Sequence, residues 1–450
     1  MENILLYPAA FVLMLAVLIA IHEFGHYWVA KQCGVKVLRF SLGFGKVIWQ
    51  KKIGKDQTEW ALSLFPLGGY VKMLDESEGE VAPHELHRAF NRQSVYKRML
   101  IVLAGPAFNF FLAIFLFWIV FLSGVPELLP ILGKAPENTP AAAINIQNGD
   151  EVLSVNGKNV QTWADFRWIL LKAAANDEVA HLTLKNEKQE IFEKNLSLTV
   201  VKQNKWEGDA IEQLGIVFFR PNFPAIIGEV LPNSVAEKAG FLKGDKVLKI
   251  DQTEIADWLA LVEIVRKSAD KMLDFEVQRG DAILKLRAIP EGAESQGGKL
   301  GIAMQKTQMR PLYTTVRYGF AQSFVKAIVE TWDKSVFSLK MLAKMLTGEV
   351  ALSNISGPVT IADFAGKTAS MGWIYYLQFM ALISLSLGVL NLLPVPVLDG
   401  GHLLYYVFEV IRQKPLSERT MELGQRVGMS FLLVLMVFAF FNDFNRLFAG

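Results

Sequence analysis

The sequence predicts a multi-pass α-helical membrane protein with four transmembrane helices, a small membrane-associated β-sheet and two tandem α+β domains. Three observations carry this. Of its 450 residues, 52% are hydrophobic and 20% are charged, too apolar for a soluble protein and too charged for one buried wholly in lipid. Four apolar stretches reach the length of about 20 residues that a helix needs to cross a bilayer. Between the second and the third, the chain repeats itself at an offset of 95 residues, from Gly149-Asp150 to Gly244-Asp245.

In chain order, residues 1–33 form the first span, apolar from Ile4 to Ala30. It lacks a basic leading segment and a small-residue cleavage site, so it is expected to be retained. Residues 34–98 are β-rich. Arg39-Phe-Ser-Leu-Gly-Phe-Gly45, Trp60-Ala-Leu-Ser-Leu-Phe65 and Pro66-Leu-Gly-Gly-Tyr70-Val71 read as a small sheet with tight turns that dips into the membrane. Irregular backbone is tolerated there only when protein or water covers it. Residues 99–125 form the second span. Residues 126–220 and 221–309 are the two repeats, where the Gly-Asp turn precedes an apolar strand, Val152-Leu153-x-Val155 and Val247-Leu248-x-Ile250. Residues 310–371 hold an amphipathic helix, whose helical spacing runs from Leu312 to Leu346 with Phe320, Phe324, Ile328, Trp332, Val336, Leu339 and Leu346 on one face, and a connector punctuated by Ser356-Gly357-Pro358. Such a helix either packs on its own domain or lies on a membrane surface. Residues 372–397 are the third span, 398–422 a loop, and 423–450 the fourth span and tail.

Charge sets the orientation. Residues 31–98 carry twelve Lys or Arg against seven Asp or Glu, and the loop after the third span carries Arg412, Lys414, Arg419 and Arg426. Basic loops remain in the cytoplasm, so residues 126–371 and both termini are expected outside. A net charge of +2 points away from nucleic acid, and the single cysteine, Cys33, excludes an internal disulfide and a cysteine metal cluster.

The first span ends in Ile21-His22-Glu23-Phe24-Gly25-His26. Histidines at i and i+4 share one helix face, about 6 Å apart. That spacing suits one zinc ion, with Glu23 beside it to take a proton from water. An ionisable cluster inside a span is costly and marks function; the plainer alternative is a polar helix end bonded to its neighbours. A catalytic zinc needs a third ligand. Asp399 is the candidate, in Asn391-Leu-Leu-Pro394-Val-Pro396-Val-Leu-Asp399-Gly400-Gly401, because spans one and three run in the same direction and deliver their polar ends to the same side. Pro394 and Pro396 break the third helix, leaving free carbonyls and extended backbone for a substrate. Asn391 and Asn109 are candidate substrate-binding or oxyanion groups; against that stands hydrogen bonding between helices. His402 is a candidate partner of the site, while His84, His87 and His181 fall outside it.

The repeats resemble PDZ domains. The second copy has Ala236-Glu-Lys-Ala-Gly240 before Gly244-Asp245; the first has Asn145 in place of that glycine but keeps Val155-Asn156-Gly157. Leu214-Gly215-Ile216 and Leu300-Gly301-Ile302 follow the copies, at the strand that edges the peptide groove in PDZ domains. The H-E-x-x-H, the Asn391–Gly400 motif and Gly105-Pro-Ala-Phe-Asn109 together resemble the site-2 protease family of intramembrane metalloproteases, over nearly the whole chain. The resemblance implies one zinc ion on His22, His26 and Asp399, with Glu23 as general base. It implies a bacterial inner-membrane enzyme whose active site faces the cytoplasm and whose PDZ-like domains lie in the periplasm. Its substrates would be single-span proteins, an anti-sigma factor after a first outer cut and remnant signal peptides. The outer domains would act as a size filter, with peptide binding open to the second copy. Two other readings remain: a non-catalytic PDZ membrane adaptor, and a zinc transporter, which needs ionisable groups in more spans than carry them.

Overall fold

The computed structural model describes residues 6–219, 223–292, 297–305 and 312–449. The expected start of the first span at Ile4, the boundary at 220/221 and the one at 309/310 lie outside these residues. Among the described residues four helices are long and apolar enough to cross a membrane, and α1 (Leu6–Gln32) is the first. Strands β1 (Val37–Ile53) and β2 (Thr58–Met73) follow. They fold back on each other, so that Ser41 pairs with both Tyr70 and Ala61. Gly43 and Gly45, at φ +88° and +85°, allow the sharp turn in β1. The stretch of β2 from Gly69 to Met73 is therefore an edge, and it lies against α1.

Helix α2 (Val95–Ser123) starts before the expected span and is the centre of the membrane part. Ala113, Leu116 and Phe117 of α2 share one core with Ala10, Met14 and Leu18 of α1. The chain then leaves through β3 (Val125–Leu128).

Two units of the same design follow. The first has α3 (Pro140–Ala143), β4 (Glu151–Val155), β5 (Lys158–Asn159), α4 (Trp163–Asn176), β6 (Val179–Lys185) and β7 (Ile191–Ser197), then short helices α5 (Thr199–Gln203) and α6 (Ala210–Gln213). The second has β8 (Ile227–Val230), α7 (Val235–Lys238), β9 (Lys246–Ile250), β10 (Thr253–Glu254), α8 (Trp258–Lys267), β11 (Leu273–Arg279), β12 (Ala282–Ala288) and β13 (Ile302–Met304). The sheet orders correspond, β5-β4-β6-β7 and β10-β9-β11-β12. Asn145 stands in the left-handed region at φ +54°, where the second copy has Gly240 at φ +85°. An asparagine tolerates that conformation, so the first copy keeps the turn without the glycine.

Strand β14 (Tyr313–Val316) returns to pair with β3, closing the segment that carries the two units at its base. This corrects the expectation of a helix from Leu312. The pairing takes residues 313–316, and α9 (Phe320–Leu346) begins only after Gly319. Phe337, Met341 and Met345 of α9 pack against the first unit's core, while Phe320, Phe324 and Trp332 stay exposed. Helix α10 (Pro358–Met371) leads to α11 (Trp373–Asn391), the third apolar helix, which ends before Pro394. The expected loop at 398–422 is corrected to a helix over much of its length, α12 (Asp399–Arg412), after which α13 (Glu418–Ala449) carries the fourth apolar segment. The hidden signal was an apolar face at helical spacing, Leu404, Val407, Phe408 and Ile411, beneath the basic charge.

Candidate metal centre

Helix α1 presents His22 and His26 one turn apart, as the i, i+4 spacing requires. Their Nε2 atoms lie 3.3 Å apart. Asp399, the first residue of α12, brings Oδ2 to 3.2 Å from His22 Nε2 and 3.5 Å from His26 Nε2. Two nitrogens and one carboxylate oxygen thus meet within 4.8 Å of one another. Oδ2 is buried and forms no hydrogen bond of normal geometry. Three converging lone-pair donors with such an oxygen among them fit a cation, and the N, N, O set suits zinc with an open fourth position.

The neighbouring elements explain how the site closes. A Cβ on Gly25 would meet Ala104 O at 2.5 Å, and one on Gly105 would meet His26 Nε2 at 2.3 Å. Both glycines are needed for α1 and α2 to cross at the imidazoles. On the other side, Gly69 of β2 packs on Glu23, where a Cβ would lie 2.8 Å from Glu23 Cγ. Gly400 and Gly401 let the start of α12 sit on the carbonyls of the preceding turn. A Cβ on Gly400 would come within 2.2 Å of Leu393 O, and one on Gly401 within 2.4 Å of Val395 O. That turn is strained, because Val397 adopts φ +96°. Positive φ in a β-branched residue costs about 1–3 kcal/mol and survives only where its surroundings impose it.

The structure therefore brings together His22, His26, Asp399 and Glu23. It also brings in Asn109, whose amide lies 3.1 Å from His22 Nδ1. That contact departs from the expectation that Asn109 meets a substrate. Asn391 closes α11, and Pro394 and Pro396 shape the turn that carries Asp399. The turn is compact, with Val395 N–H donating to Leu393 O and Leu398 N–H to Val395 O, where extended backbone was expected. Pro396 faces away, since a Cβ on Gly428 of α13 would meet its carbonyl at 2.1 Å. His402 lies one turn beyond Asp399 with its ring against Tyr405. Gly105, Val397 and Gly69 were not among the expected site residues. All three lie within stretches quoted above, Gly105 in the second-span motif, Val397 in the motif that ends in Asp399 and Gly69 in the Gly-rich stretch before Tyr70, but nothing there singled them out.

The profile of Peptidase family M50 matches residues 10–435. The chain belongs to this family. It is thus a member of the site-2 proteases, a family of metalloproteases. Among family relatives, it is 41% identical over 445 residues to the regulator of sigma-E protease RseP of Escherichia coli (strain K12), covering 98% of each chain. It is 40% identical over 451 residues to the protein of the same name from Salmonella typhimurium (strain 14028s / SGSC 2262), covering 99% of this chain and 100% of that one. It is 37% identical over 457 residues to a protein of Vibrio cholerae serotype O1 (strain ATCC 39315 / El Tor Inaba N16961) named as a zinc metalloprotease, covering 99% and 100%.

Proposed function

We propose that the chain hydrolyses peptide bonds within the transmembrane segments of single-span proteins, with zinc held by His22, His26 and Asp399 and with Glu23 as general base. The observation that carries this is the meeting of three ligand atoms from α1 and α12 within 4.8 Å, inside a bundle of membrane-length helices. An adaptor has no use for such a cluster.

When bound, zinc supplies a Lewis acid that polarises the scissile carbonyl and acidifies water to near neutral pH. The chain's own groups do the rest. Glu23, one residue from His22 on the same helix, takes the proton from water and returns it to the leaving amine. His26 and His22 are oriented by α2. Asp399 is held in place by the strained turn at Val397 and by Gly400 and Gly401. A peptide bond in an intact helix is shielded and its carbonyl already bonded, so the substrate must unwind. The edge of β2 at Gly69, beside Glu23, suits an added strand, and Asn391, at the end of α11, suits the freed backbone.

The basic segments 31–98 and 412–426 support a cytoplasmic side for the site and a periplasmic side for residues 126–371, in a bacterial inner membrane. The names of the relatives, regulators of sigma-E, support an anti-sigma factor as substrate, and the family resemblance adds a first outer cut before this one. Remnant signal peptides fit the same single-span chemistry. The two outer units suit tandem PDZ domains that filter substrates by size, with the second open to peptide. The exposed Phe320, Phe324 and Trp332 of α9 suit contact with membrane lipid. The test compares wild type with Glu23→Gln on a single-span substrate. Cleavage by wild type and a loss of about 10²–10⁴-fold in the variant, with zinc still bound, is expected. An uncut substrate with zinc-loaded wild type defeats the reading.

A further inference from the structure

Away from Asp399, both imidazoles are contacted by α2. His26 Nδ1 lies 2.8 Å from Ile101 O. A carbonyl oxygen accepts only, so the proton of His26 sits on Nδ1 and the lone pair of Nε2 is left for a cation. His22 has no carbonyl in the equivalent place. Its Nδ1 instead meets the side-chain amide of Asn109 at 3.1 Å. Asn109 is fully buried, with Nδ2 towards the imidazole and Oδ1 without any partner.

The two ends of an amide have the same shape and opposite roles in hydrogen bonding. Turned end for end, Asn109 offers Oδ1 to Nδ1–H. The orphaned oxygen then has its donor, and His22 gains the tautomer that the carbonyl of Ile101 imposes on His26. Behind it, Ser384 Oγ of α11 donates to the main-chain carbonyl of Asn109 at 2.8 Å, which ties this turn of α2 to α11.

We infer that Asn109 is a positioning residue whose amide oxygen keeps the proton of His22 on Nδ1 and so directs Nε2 to the zinc. This rests on the metal-site reading above. It moves Asn109 from the substrate groove to the layer behind the ligands. It also gives the second-span motif one purpose: Gly105 makes room for the imidazoles, and Asn109, one turn on, fixes the orientation of one of them.

The test measures zinc affinity of the full chain in detergent by competition with a chelator. It uses wild type, Asn109→Asp, which keeps an acceptor, and Asn109→Leu, which keeps the volume without one. Asn109→Leu is expected to bind zinc about 10–100-fold more weakly than wild type, and Asn109→Asp within a few-fold of it. The zinc-free variants are melted alongside, and a merely structural role would lower affinity in both variants in step with their melting temperatures instead of separating Asn109→Leu from Asn109→Asp. Wild-type affinity in Asn109→Leu, or equal loss in Asn109→Asp, overturns the inference. If Asn109→Leu is not recovered folded, Asn109→Ala takes its place in the same comparison. Wild type that binds no zinc overturns the metal-site reading instead, a result that these variants do not imitate.

Discussion

Two carboxylates in the membrane part, Asp399 and Asp443, are placed in opposite ways. Asp443, near the end of α13, is almost fully buried and fully bonded. Its Oδ1 accepts from Gly357 N–H at 2.8 Å and Thr360 Oγ1 at 2.6 Å, and its Oδ2 from Val359 N–H at 2.9 Å and Thr360 N–H at 3.1 Å. It caps the N-terminus of α10 from another helix, where a negative charge is favoured. The neighbouring Asn442 donates to the carbonyls of Leu352 and Ile355. Asp399 has no such satisfaction. Its Oδ2 faces two imidazole nitrogens and forms no good hydrogen bond. A buried carboxylate that is satisfied serves the fold; one left short serves a ligand the fold does not supply.

The largest effect should separate the two. Asp399→Ala should lose zinc by more than the about 10–100-fold that removing an outer partner costs, and with it all proteolysis. Its zinc-free form should melt no lower than zinc-free wild type, because no hydrogen bond is lost. Asp443→Ala should do the reverse. It strands three backbone N–H groups and one hydroxyl, a cost of about 3 kcal/mol, while zinc affinity by chelator competition stays at the wild-type value. A comparable drop in melting temperature for both variants would break the contrast.

The turn before Asp399 sharpens the same point at a smaller scale. Val397 at φ +96° is strained where Asp443 is relaxed. Val397→Gly relieves the strain and adds freedom to the unfolded chain, leaving a net gain of about 1 kcal/mol. The freed turn should hold Asp399 less firmly, so zinc affinity should fall while the melting temperature rises. A variant that melts lower than wild type would show that the turn is not strained.

These differences explain what was legible in the sequence. His22, Glu23, His26 and Asp399 stood out because zinc chemistry accepts few residue types and the spans fix their depth. The repeat was legible because its turns need particular residues, Gly149 and Gly244 at φ +98° and +93° among them. The role of Asp443 was not legible, since its partners lie more than eighty residues away. Strand β14 was overlooked for another reason: Tyr313-Thr-Thr-Val316 favours β structure, but the run is only four residues long, it leads into a longer helical pattern, and its partner β3 lies far earlier in the chain. The φ of Val397 left no mark at all, because strain belongs to the surroundings and not to the residue.

The contrast between satisfied and unsatisfied carboxylates recurs in the two repeated units, where it becomes a pH effect. Asp150 and Asp245 occupy the same turn in the two copies. Burial pushes Asp150 above its ordinary value of 3.8, although its carboxylate accepts from Gln147 N–H. Burial acts upward on Asp245 too, but Arg279, at 2.7 and 2.8 Å, and Leu242 N–H outweigh it and hold it below 3.8. The signs follow. A raised folded pKa means the first unit gains stability as pH falls through that value towards 3.8. A depressed one means the second unit keeps its contribution down to 3.8 and loses it as pH falls further, through the folded value. Solvent screening holds each contribution under about 1 kcal/mol. Amide exchange at Leu182 and Phe275, the cores of β6 and β11, can follow both units in one sample. As pH falls through 3.8, protection corrected for intrinsic rates should weaken at Phe275 and not at Leu182. In Arg279→Ala, Asp245 loses its main partner, burial dominates, and the two units should respond in the same direction. Opposite responses in that variant would show that Arg279 is not what distinguishes them.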